Sequence, residues 1–292
     1  MQIVANRIGI EIEDQGPTAG EPLLLIMGLG MQLIGWPDEL VQELIGRGFR
    51  VIRLDNRDVG LSQGFDQLGV PNLALAAVRH AFHLPVQAPY SLGDMADDAL
   101  GVLDALKIER AHVCGASMGG MIAQHLAAKR PHRVKSLTLM MTTTGSRRLP
   151  QPSLRVQHAL ISRPDGGNRD AVVRHLQRVM GVIGSPAYPP EPERLRQRLD
   201  ASVRRAWRPS GTARQMAAIA ADGDRTNLMV RIQSPTHVIH GEADPLVRVA
   251  AGRELVKRIR GATGDFIAGM GHDLPLQLIP RFAQGIGDNA GR

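Results

Sequence analysis

The chain has 292 residues, 43% of them apolar, which is enough for one large α/β domain or two small ones around a continuous core. The longest apolar stretch, Leu23 to Met31, is less than half of the roughly 20 residues that cross a bilayer, which excludes a membrane-spanning helix. The net charge of +7 is local: residues 147–214 hold 14 Arg and no Lys against five acids, and only Tyr188 and Trp207 offer rings, so a solvated helical face is expected there and no nucleic-acid partner.

In chain order, Met1 to Gly16 alternates apolar and polar residues, predicting a hairpin over Gln2–Ala5 and Arg7–Glu13; it lacks the basic start and apolar stretch of a signal peptide. The apolar run Pro22–Met27 predicts a buried strand ending in Gly28-Leu29-Gly30. Trp36–Ile45 predicts a helix closed by Gly46 and Gly48, and Phe49–Leu54 a strand that stops at the polar loop Asp55-Asn56-Arg57-Asp58. From Leu68 to Tyr90 the connection is unusually apolar, with Leu73, Leu75, Val78, Phe82 and Leu84 at helical intervals; it is either a pocket mouth or a satellite core helix. Ser91–Lys107 predicts a helix, with Ser91 and Asp94 in a capping-box arrangement. Ala111–Cys114 predicts a strand, Met118–Lys129 a helix and Val134–Met141 a strand.

No further strand signal occurs until Thr236–His240. The stretch between them is helical in pattern, most clearly over Ala171–Val182 and Leu195–Trp207, which are separated by Pro186, Pro189, Pro190 and Pro192. A helix over Val249–Ile259, a strand over Phe266–Ala268 and a helix over Leu278–Ile286 complete the pattern. Strands alternating with helices predict a mostly parallel, doubly wound sheet. The Arg-rich insertion after the sixth strand is then a helical cap, with the core at residues 1–144 and 225–292 and the cap at 145–224. Cys114 is the only cysteine and forms no internal disulfide, which points to a reducing cytoplasm.

Gly115-Ala116-Ser117-Met118-Gly119-Gly120 falls between a predicted strand and helix. A serine on so tight a turn is strained and needs small neighbours, which Gly115, Gly119 and Gly120 supply. The plainer reading is a glycine-rich turn with a surface serine. A serine hydroxyl attacks only once a base takes its proton. Of ten histidines, seven lie in or beside predicted strands and helices, and His80 and His83 have no carboxylate nearby in sequence. His272, after Gly269-Met270-Gly271, follows the last strand at the sheet edge where ligands of open α/β sheets gather. The base needs a buried acceptor. Asp244, in Gly241-Glu242-Ala243-Asp244-Pro245, is preferred to Glu242 because the proline behind it stiffens the turn; Asp273 points away if His272 points in, and is given no role. The developing oxyanion needs N–H donors, assigned to the backbone of Met118 and Leu29. No metal-ligand cluster or phosphate-binding loop is present. Gly28, Leu29, Met31, Trp36 and Met118 are expected to make an apolar pocket for an uncharged substrate.

Met27-Gly28-Leu29-Gly30 with Gly35-Trp36-Pro37, Asp55-Asn56-Arg57-Asp58-Val59-Gly60-Leu61-Ser62, the Ser117 string, the Asp244 string and the His272 string together resemble the α/β-hydrolase superfamily. Within it they are similar to the bacterial esterase branch that includes the aclacinomycin methylesterases. The resemblance covers nearly the whole chain apart from the insertion. It implies the α/β-hydrolase fold, an eight-stranded sheet with a helical cap, no cofactor, and the Ser, Asp, His order found here. Met27 stands where many relatives carry histidine, which matters little if only backbone donates. The expected chemistry is hydrolysis of a small carboxylic ester through an acyl-enzyme. Lactonase, amidase, perhydrolase and carbon-carbon hydrolase activity remain open, as does a receptor that binds a small molecule without turnover.

Overall fold

The computed structural model describes residues 1–292. Its elements in chain order are β1 (Gln2–Ala5), β2 (Ile8–Gln15), β3 (Glu21–Ile26), α1 (Asp38–Gly46), β4 (Phe49–Leu54), α2 (Leu73–Ala81), α3 (Leu92–Ala105), β5 (Ala111–Ala116), α4 (Met118–Lys129) and β6 (Val134–Met140). Then come α5 (Leu154–Ile161), α6 (Arg169–Ile183), α7 (Pro192–Arg205), α8 (Pro209–Asp222), α9 (Thr226–Met229), β7 (Thr236–Gly241), α10 (Val249–Arg258), β8 (Thr263–Ile267) and α11 (Ile279–Ala290). The strands form one sheet in the order β1-β2-β4-β3-β5-β6-β7-β8. The β1–β2 and β2–β4 pairs are antiparallel and all later pairs parallel.

β3 is an unbroken apolar run because both of its faces are covered. Leu24 and Ile26 join the core beneath α3 and α4, while Leu23 and Leu25 point the other way, into the core with Leu40, Leu44 and Phe282 of α1 and α11. α3 starts at a capping box: the Ser91 hydroxyl accepts the Asp94 N–H at 3.0 Å, and the Asp94 carboxylate accepts the Ser91 N–H at 2.8 Å. β8 begins three residues before the expected strand, because its first half, Thr263-Gly264-Asp265, is a polar edge without an apolar pattern. No helix is long and apolar enough to cross a membrane.

Five helices, α5 to α9, separate β6 from β7. Of these, α6 and α7 match the two clearest expected segments, α5 and α8 complete the helical stretch without so clear a pattern of their own, and Trp207, expected at the end of a helix, follows the end of α7. The arginines here are not all solvated. Arg214 is 1% exposed and donates to both Asp58 oxygens at 2.8 and 2.7 Å, and Tyr90 donates to the same carboxylate at 2.7 Å. Arg205 donates to the buried Asp55 at 2.6 Å. A face that looks merely basic in sequence therefore includes two side chains that clamp the insertion to the loop after β4, because that loop supplies buried aspartates in need of partners.

Candidate active site

Ser117 stands alone between β5 and α4 at φ +54, ψ −119, a conformation that side chains other than glycine's rarely adopt. The turn can be this tight because its neighbours lack Cβ atoms: one on Gly115 would press into the Gly119 carbonyl, and one on Gly120 would lie 2.7 Å from Thr142 Cβ. The end of β6 and the residues after it pin the turn. The Ser117 N–H donates to Met140 O at 2.9 Å, and the Thr142 hydroxyl donates to Ser117 O at 2.7 Å.

His272 follows β8 on a loop that brings its ring to Ser117. Nε2 lies 3.0 Å from Ser117 Oγ and Nδ1 lies 2.7 Å from Asp244 Oδ2. Asp244, after β7, is 1% exposed, and its other oxygen accepts the Leu246 and Val247 N–H groups at 2.8 Å each. A carboxylate held this way favours the proton on Nδ1, which leaves Nε2 free to accept the serine proton. The rival Glu242 is exposed and pairs with Arg253 at 3.1 Å, away from the ring. No other histidine reaches Ser117. His80 and His83 are exposed, His112 bonds Ser136 Oγ at 2.8 Å, and His125 bonds Asp222 at 2.8 Å. His240 is fully buried with Nε2 on Val247 O at 2.7 Å, and burial pushes its pKa below the usual value. Its Nε2 lies 3.6 Å from Asp244.

Opposite the ring lies the turn after β3. A Cβ on Gly28 would sit 3.2 Å from Ser117 Cβ, so this backbone touches the serine. The Leu29 and Met118 N–H groups donate to no acceptor in the protein, while the next N–H groups along the turn are engaged: Gly30 with Gln215 Oε1 at 2.9 Å and Met31 with Gly28 O at 3.2 Å. Met118 is the first residue of α4, where N–H groups lack partners within the helix and the helix dipole favours negative charge. The residues expected to line a pocket divide. Gly28 and Leu29 adjoin Ser117's turn. Met31 is 40% exposed, whereas Trp36 has no exposed surface and packs with Leu40, Leu44 and Phe282 in the core. Trp36 sits there because α1, which follows it, turns its apolar face onto the sheet and takes the indole with it. No three His, Cys, Asp or Glu side chains are grouped to hold a metal ion.

Several residues beside the site have no role that the sequence assigns. Gln215, fully buried on α8, bonds Gly30 N–H and donates to Arg57 O at 2.8 Å, holding the turn after β3 in place. Asn56 donates to Met27 O at 2.9 Å. Ser185 and Asp273 hold the histidine loop. Asp273 is not directed to solvent: it accepts the Ser185 hydroxyl, and burial pushes its carboxyl above the usual range.

Residues 21–277 match the family described as alpha/beta hydrolase fold. A rhodomycin D methylesterase of Streptomyces sp. (strain C5) is 29% identical over 97% of this chain and 95% of its own. A 2-hydroxymuconate semialdehyde hydrolase of Pseudomonas sp. (strain CF600) is 28% identical over 98% and 92%. Among solved structures, a meta-cleavage product hydrolase from Pseudomonas fluorescens IP01 superposes with a TM-score of 0.77 at 20% identity, over 100% of this chain and 97% of that one.

Proposed function

The chain belongs to the α/β-hydrolase family, and from that premise we propose that it hydrolyses a carboxylic ester of a small, largely apolar substrate through a covalent acyl-enzyme. The observation that carries the reading is the His272 ring bonded on both sides, to Asp244 through Nδ1 and to Ser117 through Nε2. Nε2 takes the proton as Ser117 Oγ attacks the ester carbonyl. The tetrahedral oxygen turns toward the free Leu29 and Met118 N–H groups, each such donor being worth about 2.7–4 kcal/mol. His272 then gives its proton to the leaving alcohol, and water activated by the same nitrogen releases the acid. Asp244, bonded to Nδ1, stabilises the imidazolium that forms.

The methylesterase relative, similar over nearly the full length of both chains, supports an ester with a small alcohol part. The helices at 145–224 serve as a cap over the site, and Arg205 and Arg214, occupied by aspartates, favour that role over nucleic-acid binding. A cytoplasmic location fits the single buried thiol of Cys114. The test is turnover of p-nitrophenyl acetate and butyrate by wild type and Ser117→Ala, with fluorophosphonate labelling followed by peptide mapping. Turnover and label at Ser117, both lost in the variant, are expected. Absence of both from wild type overturns the reading.

A further inference from the structure

The histidine loop is held chiefly from the insertion. Ile183 O, at the end of α6, accepts the His272 N–H at 2.7 Å, and the Ala187 N–H donates to Gly269 O at 3.2 Å. Between them, Ser185 Oγ accepts the Gly271 N–H at 2.8 Å and donates its own proton to Asp273 Oδ1. Ser185 is 4% exposed, so water offers neither bond a ready substitute. Gly271 has no room to shift toward α6, since a Cβ there would run into the Gly184 carbonyl. The residues immediately before and after His272 are thus joined through one hydroxyl, more than eighty positions away in sequence. A ring that must lie within 3.0 Å of one atom and 2.7 Å of another tolerates little rotation of its backbone.

We infer that Ser185 and Asp273 are positioning residues, a clamp through which the insertion sets the orientation of the His272 ring. Neither touches the reacting atoms. The inference rests on the proposed role of His272, and it has a structural corollary: the segment 183–187 cannot swing away from the sheet without turning the histidine, so any opening of the cap hinges elsewhere.

The experiment combines kinetics with a readout that needs no substrate, the low-field proton resonance of His272 Nδ1–H in its bond to Asp244. Ser185→Ala is expected to broaden or shift that resonance, to slow fluorophosphonate labelling of Ser117, and to lower kcat on p-nitrophenyl butyrate by about 10-fold or more with KM within about two-fold. Ser185→Thr, which keeps the hydroxyl, restores the resonance and most of kcat. Asp273→Ala acts like Ser185→Ala, and the double variant is no worse than either single one, as for two halves of one device. An unshifted resonance in Ser185→Ala overturns the clamp, as does additive loss in the double variant. So does equal impairment of the Ala and Thr variants, which would mark a packing role. If Ser185→Ala does not fold, Asp273→Ala and Ser185→Thr decide by the same criteria. The resonance is read on free enzyme, so failure of the clamp is distinguishable from failure of the ester reading, which shows as absence of turnover in wild type.

Discussion

The strain at Ser117 can be measured with two variants that differ by one carbon. Ser117→Ala and Ser117→Gly both remove Oγ and with it the bond to His272 Nε2, so that loss cancels between them. At an unstrained position alanine is more stable than glycine by about 0.5–1 kcal/mol, because glycine has more freedom to lose on folding. At φ +54, ψ −119 the Cβ itself is the problem, and holding a side chain there costs on the order of 1–3 kcal/mol. Subtracting glycine's entropy and the few methyl contacts forfeited at a half-buried site leaves glycine ahead by about 1 kcal/mol. With a urea m-value of about 3 kcal/mol/M, the unfolding midpoint of Ser117→Gly should lie about 0.3 M above that of Ser117→Ala. Circular dichroism against urea, on both proteins at one pH, reads this directly. Alanine equal to or more stable than glycine refutes the view that the turn stores strain, and with it the physical reason for the three glycines around it.

Four further outcomes follow from the same geometry. Asp244→Asn should lower kcat on p-nitrophenyl butyrate by roughly 10⁴-fold while Glu242→Gln stays within about two-fold; comparable losses would mean that the wrong carboxylate has been chosen. Arg214→Leu leaves the buried Asp58 charge with only Tyr90 and the Phe65 N–H, and should cost about 3–5 kcal/mol in urea unfolding, against less than about 0.5 for the exposed Arg204→Ala. Gln215→Leu strands the Gly30 N–H and the Arg57 carbonyl and should cost about 2 kcal/mol or more, with a lower kcat measured on the fraction that remains folded. His112 and His240 are depressed by burial, so the unfolded chain binds their protons more tightly than the native one does. Their contribution is whole above the ordinary histidine pKa of about 6.5 and is lost as pH falls below it, which urea midpoints from pH 7.5 to 5 should show and His112→Gln should flatten in part.

What could be read from sequence and what could not divide along physical lines. Ser117, Asp244 and His272 stood out because each sits where backbone geometry demands glycine or proline nearby, and that demand is written locally. The parallel sheet was legible for a similar reason, since strands covered on both faces, such as β3, become unbroken apolar runs. α8 shows no clear apolar stripe of its own because its inward face includes Arg214 and Gln215, polar residues made buriable by partners 156 and 185 positions away. α5 shows none either, because only Val156 of its apolar residues is buried, with Leu154 and Ile161 exposed. Trp36 is expected at a pocket because it is apolar and follows closely on the turn near the proposed site, whereas its position before α1 sends it into the core. Ser185 has no local signal, and Asp273, notable only as the neighbour of His272, meets Ser185 only through the approach of α6 to the histidine loop.

The insertion reaches both sides of the candidate site. Through Gln215 it fixes the turn whose Leu29 N–H is free, and through Ile183 and Ser185 it fixes the loop that carries His272. Arg205 and Arg214 anchor the same helices to Asp55 and Asp58, so the two contacts near the site do not have to hold the insertion by themselves. The insertion is therefore mechanically joined to both the loop that carries His272 and the turn that carries the Leu29 N–H. On the proposed reading, changes within it should alter kcat as well as KM, because a shift of Ser185 or Gln215 moves the backbone that holds His272 or the free Leu29 N–H.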